Sequence, residues 1–210
     1  MTESPLSRVV FVSGLALALF VAVHALARTV TGRPASRWAA RILLGTCILV
    51  TVVPIGGLTV NRWVAGVLPG FSVPLLALLV HGTGRALGGA GILRTAECRT
   101  LLGFGAAGGV LLYPAALGLG GWDPYAVGWG PSWLFGAAGA LAALMLVRGN
   151  RLGAVLLAAI GLWHLHGLES ANYWDYLVDP VFAVTAVLMS LWSVVRRRSV
   201  AEPVACGGRE

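Results

Sequence analysis

The sequence predicts an all-α membrane protein, a bundle of about seven transmembrane helices with its amino terminus outside and its carboxyl terminus in the cytoplasm. Composition is the first reason. Of 210 residues, 58% are hydrophobic and 11% charged, with a mean hydropathy of +0.84, whereas a soluble domain carries roughly a quarter charged residues. The second reason is the continuity of the apolar runs. They are unbroken stretches of Leu, Ala, Val and Gly, near the roughly 20 residues a helix needs to cross a bilayer, and lack the alternation of a membrane barrel. The third is the placement of arginine, which clusters after every second run and so on one side.

Apolar runs fall near residues 9–27, 42–60, 63–81, 100–119, 132–147, 152–168 and 180–195. The first follows Arg8 and ends in His24-Ala-Leu-Ala-Arg28 before an Arg-rich segment. A cleaved signal peptide competes with this reading, but its apolar core would be shorter and would lead into a small-residue cleavage site. Pro54, Pro69, Pro74 and Pro114 lie within the second, third and fourth runs, where they are expected to remove helical hydrogen bonds and kink the axes. Gly105 and Gly109 in the fourth run have the spacing that lets helix backbones approach closely in lipid. Only Arg148-Gly-Asn-Arg151 separates the short fifth and sixth runs, which reads as a tight helical hairpin. A re-entrant segment there would give six spans, the alternative count. Residues 1–198 form a single transmembrane domain without internal repeat, and 199–210, holding Pro203, Gly207 and Gly208, read as a disordered cytoplasmic tail.

The connections after the odd-numbered runs hold Arg28, Arg33, Arg37 and Arg41, then Arg85, Arg94 and Arg99, then Arg148 and Arg151, then Arg196, Arg197 and Arg198; the opposite face holds Arg8 and Arg62. The Arg-rich side is expected to be cytoplasmic. Every basic residue is Arg, so the formal charge of +7 is a topology signal and not a nucleic-acid footprint. Compact loops, Arg without Lys, and abundant Ala and Gly point to a multi-pass protein of a bacterial cytoplasmic (inner) membrane. Cys47, Cys98 and Cys206 have no metal-site spacing, and no structural disulfide is expected.

No Asp, Glu, Lys or Arg is expected at mid-depth, which argues against a carboxylate-coupled pump, and the lack of Lys excludes a retinal Schiff base. No cofactor motif is present. His24 and His81, near the cytoplasmic ends of the first and third runs, form the one pair that could ligate a b-type haem; otherwise they are interfacial imidazoles. His164 and His166 lie roughly 200° apart around a helix and cannot grip one metal from one face.

The richest segment is HLHGLESANYWDYLVDP, between the sixth and seventh runs. If the helix continues past the membrane surface, His166, Glu169, Asn172, Asp175 and Asp179 share one stripe, suited to a divalent cation or a polar substrate. Tyr173, Trp174 and Leu177 would rest on the lipid interface. Read structurally, Asp179-Pro180 is an N-cap and first-turn pair for the seventh helix, and Glu169 ends the sixth. A second outer loop, GLGGWDPYAVGWGPSW, supplies Trp122, Asp123, Tyr125, Trp129 and Trp133, and the two loops together would make an outward-facing cup.

There is no GxSxG elbow, HExxH, P-loop, CxxC or dinucleotide fingerprint. The expected function is a transport component or the membrane subunit of a larger assembly, in contact with the bilayer and with a membrane-protein partner or a second copy. Its outward face would bind a small or cationic ligand. One alternative is a membrane-embedded enzyme acting on a lipid or lipid-linked substrate through Glu169, Asp175, Asp179 and either His164 or His166. The other is a b-type haem electron carrier.

Overall fold

The structure, a computed structural model, describes residues 4–68, 70–119, 121 and 123–201. It is mostly helical: α1 Pro5–Thr31, α2 Arg37–Val52, α3 Val60–Ala65, α4 Val73–Ala86, α5 Thr95–Ala116, α6 Trp133–Val147, α7 Leu152–His164, α8 Tyr173–Leu177 and α9 Pro180–Ala201. A 3-10 turn spans Pro124–Gly128, and β1 Pro54–Ile55 pairs antiparallel with β2 Leu58–Thr59. Helix α1 packs on α2 and α4, α5 on α9, α6 on α7, and α4 on α7.

The connections gather at two ends. At one, the Ser4 hydroxyl donates to the His166 carbonyl (3.1 Å), the Ser72 N–H to Asp179 (2.7 Å) and the Asn172 amide to the Tyr125 carbonyl (2.9 Å). At the other, Arg151 donates to Glu97 (2.9 Å) and Ile92 (2.7 Å), and the Leu93 N–H to His81 Nδ1 (3.1 Å).

Several expected boundaries change. The second run stops being helical at Val52 and turns into the hairpin, because Pro54 offers no N–H and Gly56 and Gly57, at φ 60° and 86°, fit the two-residue turn that twisted strands favour. The third run is split: its first residues end α3 at Ala65, and the helix resumes only at Val73, where Pro74 lies in the first turn of α4, its missing N–H harmless and its ring stopping the helix extending upstream. Of the prolines expected to kink helices, only Pro114 lies inside one, while Pro69 is outside the described residues. Residues 199–201, expected in the tail, continue α9, and 202–210 lie outside the described residues.

Among the described residues only Pro5–Thr31 is long and apolar enough to cross a membrane unaided, and Trp133–Val147, Leu152–His164 and Pro180–Ser193 are shorter apolar helices. A helix of 13 to 16 residues, the range of α2, α4, α6 and α7, rises about 20–24 Å, against a hydrocarbon thickness of roughly 30 Å.

The expected close approach at Gly105 and Gly109 is the α5–α9 seam. A Cβ on Gly105 would lie 2.6 Å from the Phe182 ring, and one on Gly109 2.6 Å from the Ala183 Cβ. At the opposite end of α5, Glu97 is only 5% exposed. One of its oxygens accepts from the Arg94 N–H (2.6 Å), closing the first turn of its own helix, and the other accepts from the Arg151 N–H at the head of α7. One buried carboxylate thus serves two helix N-termini, whose orphan amides favour negative charge. Glu97→Ala orphans both amides and should destabilise the fold by about 2–4 kcal/mol, whereas Asp123→Ala removes an exposed cap at a cost of about 1 kcal/mol. Thermal unfolding in one detergent ranks the two variants, and equal losses would contradict the bridging role.

Candidate functional site

The site is built where α7 fails to continue. Leu165 caps it, His166 takes the left-handed conformation (φ 51°), and the Gly167 and His166 N–H groups donate back to Leu162 and Trp163 (2.8 and 3.1 Å). This is a Schellman ending with a histidine where glycine is usual. The expected stripe of His166, Glu169, Asn172, Asp175 and Asp179 on one continuous helix is therefore corrected. Instead, the chain runs irregularly through 166–172 and forms only the short α8.

Satisfying that irregular backbone consumes several side chains. The Tyr176 hydroxyl accepts from the Leu168 N–H (3.1 Å), the Ser170 hydroxyl accepts from the Asn172 N–H (3.0 Å), and the Trp163 indole donates to the Ala171 carbonyl (2.9 Å). Tyr173 and Leu177, expected at the lipid interface, are buried; Tyr173 stacks on Phe135 with ring centroids 4.3 Å apart. Burial pushes the Tyr173 hydroxyl up to about 12.

The two outer loops meet. Asn172 is fully buried, accepts from the Trp174 N–H (2.9 Å) and donates to the Tyr125 carbonyl, while the Trp174 indole donates to the Pro124 carbonyl (2.9 Å). Gly128 permits this approach, since a Cβ there would overlap the Asn172 amide oxygen. Asp123 stays exposed and accepts from the Tyr125 N–H (2.9 Å), opening the 3-10 turn.

Between the loops lies a cleft of about 570 Å³. Helix α5 supplies Leu112, Tyr113 and Ala116; the 3-10 turn supplies Tyr125, with Trp129 just beyond; the last connection supplies Glu169, Ser170, Asp175 and Val178, and Pro180 opens α9. At its polar centre the Tyr125 hydroxyl donates to the Asp175 carboxylate (2.6 Å to Oδ1), and the Ser170 hydroxyl donates to Oδ2 of the same group. Burial, then the hydrogen bond and charge of Asp175, raise the Tyr125 hydroxyl above its ordinary value.

The structure therefore brings Tyr125, Asn172, Asp175 and Glu169 together, with Asn172 holding the wall and the other three lining it. It does not bring in His166, which is exposed, or Asp179, which is 3% exposed. Asp179 accepts from the Phe182 N–H of its own helix (2.9 Å) and from the Ser72 N–H at the head of α4. Burial pushes its carboxyl up, against the Ser72, Phe182 and Val181 amides, which favour the charge. Trp122 lies outside the described residues. Tyr113, Ser170, Trp129 and Val178 complete the cleft; Trp129 stood among the aromatic residues of the second loop, whereas nothing local in the sequence marks the other three.

Of the haem pair, His24 stacks on Phe20 (5.7 Å), and His81 accepts the Leu93 N–H at Nδ1. A neutral imidazole accepting at Nδ1 carries its proton on Nε2 and presents no lone pair to iron there. Among the described residues no group of three or more His, Cys, Asp or Glu stands together as a metal-ligand set.

Compared with models of known families, with curated proteins and with solved structures, the chain matches none.

Because the folded Tyr125 pKa is raised, its protonated hydroxyl contributes stability that is fully present below the ordinary value of 10.0 and lost as pH rises through the folded value. Phenolate absorbance at pH 10.0 should accordingly be the same in Tyr125→Phe as in the parent, and a smaller signal in the variant would show that Tyr125 ionises normally. Separately, Gly128→Ala should push Asn172 off the Tyr125 carbonyl and cost about 1–3 kcal/mol, read as a lowered Tm with the helical circular dichroism retained.

Proposed function

We propose that the chain is a multi-pass protein of a bacterial cytoplasmic membrane, its seven longer helices crossing in alternate directions from an outside amino terminus. In this reading the cleft is an outward-facing site for a small ligand, and the protein is a transport component or the membrane subunit of a larger assembly. The single observation carrying it is the cleft itself, formed by two sequence-distant loops at the end of the bundle where Arg is scarcest. Among the described residues only Arg8 and Arg62 belong to that end, while Arg37, Arg85, Arg94, Arg148 and Arg151 belong to the other.

The surface supports the bilayer. Leu26 on α1, Leu49 on α2, Val110 on α5, Leu144 on α6, Leu157 on α7 and Leu188 on α9 are all exposed, more large apolar side chains than a water-facing surface carries without a partner. Where the helices are shorter than the hydrocarbon, the irregular 166–172 stretch has backbone groups bonded within the protein, the condition for non-helical chain at membrane depth. The enzyme alternative is less well supported. Of the groups that reading calls on, only Glu169 and Asp175 line the cleft: Asp179 is held by the Ser72 and Phe182 amides, and neither His164 nor His166 reaches the wall.

Reporter fusions test the reading. A periplasm-active enzyme fused after Asp123 or Asp175 should be active, and one fused after Arg94 or Arg197 silent. An active Arg94 fusion would put the cleft on the cytoplasmic side and overturn the proposal.

A further inference from the structure

The cleft wall is one-sided in its chemistry. Among the described residues it carries two carboxylates, Glu169 and Asp175, and no arginine or histidine. The hydroxyl protons of Tyr125 and Ser170 are already given to Asp175, so a ligand entering beside them meets that carboxylate as an acceptor, with Glu169, the Tyr113 hydroxyl and the Trp129 indole as the other polar groups of the wall. An anion would face Asp175 with no cation to offset the repulsion. A hard metal ion needs about six to eight oxygens, whereas no set of three or more metal-ligating side chains stands together among the described residues. What remains is a cation that carries its own hydrogen-bond donors or none, and that brings apolar surface with it.

The rest of the wall suits such a ligand. Tyr125 and Trp129 line the cleft edge to face, with centroids 6.0 Å apart. Trp129 is 61% exposed, an amphipathic ring left at the cleft mouth. Aromatic faces attract ammonium groups, tryptophan most strongly. Leu112, Ala116 and Val178 form an aliphatic floor, and about 570 Å³ is within the range that takes a small organic molecule.

We propose that the cleft binds an organic cation, with an amine or quaternary ammonium group between Asp175 and the Trp129 and Tyr125 rings and an apolar body along Leu112, Ala116 and Val178. This rests on the reading of the cleft as a ligand site and adds the class of ligand.

The test uses the full chain in lipid nanodiscs and isothermal titration calorimetry with three soluble probes of one shape: 2-phenylethylammonium, 2-phenylethanol and 3-phenylpropanoate. The ammonium should saturate a single site about tenfold more tightly than the alcohol, with no binding of the carboxylate. Asp175→Asn should erase the gap between ammonium and alcohol, and Trp129→Ala, at an exposed ring whose loss leaves the core intact, should weaken the ammonium about fivefold. If alcohol and ammonium bind equally well to the parent protein, the cation is overturned while the ligand cleft stands. If no probe saturates a protein that keeps its Tm, both the cation and the cleft reading fail.

Discussion

Two buried carboxylates, each shared between the N-termini of two helices, hold the bundle in register. Asp179 joins the start of α9 to the start of α4 at the cleft end, and Glu97 joins the start of α5 to the start of α7 at the other. The physical logic is the same at both ends. The first amides of a helix have no partner within it and carry partial positive charge. In a bundle with little water at hand, a carboxylate that satisfies two such ends offsets its own desolvation and fixes the spacing of the two helices at once. Neither function survives replacement by an apolar residue, because the amides would remain buried and unbonded.

The cleft follows from this arrangement. With Asp179 committed to α4 and α9, the chain preceding it cannot be a simple extension of α7 and must return across the bundle end. His166 accepts a conformation that costs most residues about 1–2 kcal/mol, and the return closes on Ser4, Tyr125 and Pro124 through donors that all find partners. Asp175 is left facing the cavity, tied to two hydroxyls rather than to a cation. That distinguishes the half-buried Asp175 from the two buried carboxylates, Glu97 and Asp179, whose charge is absorbed by backbone.

Much of the fold was legible because hydropathy has long range along the chain. Each of the seven apolar runs overlaps one of the longer helices, and Asp179-Pro180 marks the start of α9. Boundaries were less legible, since hydropathy cannot tell an apolar hairpin from an apolar helix: the Gly56-Gly57 turn and the first-turn position of Pro74 override it. Glu97 was missed although it sits three residues after Arg94, the spacing of an N3 acid, because charge counting had assigned that connection to arginine. The site was legible in composition but not in geometry. A helical stripe was inferred from spacing, and one left-handed histidine, which no periodicity reveals, abolished it. The Tyr125–Asp175 contact spans 50 residues, and nothing local in the sequence encodes it.

If the bundle sits in lipid as proposed, its helices gain little from burying apolar surface against each other, and their association depends on close packing and polar ties. The cleft joins the two kinds. Its floor continues the close α5–α9 seam, where Gly105 and Gly109 admit Phe182 and Ala183; one turn on, the larger Leu112 and Tyr113 line open space opposite Val178 and Pro180. Its opposite wall, carrying Tyr125 and Trp129, hangs on the hydrogen bonds of Asn172 and Trp174. One side is set by backbone contact and the other by a few polar bonds, so an occupant that engages Asp175 and the aromatic wall must draw its affinity from how firmly those bonds hold the wall in place.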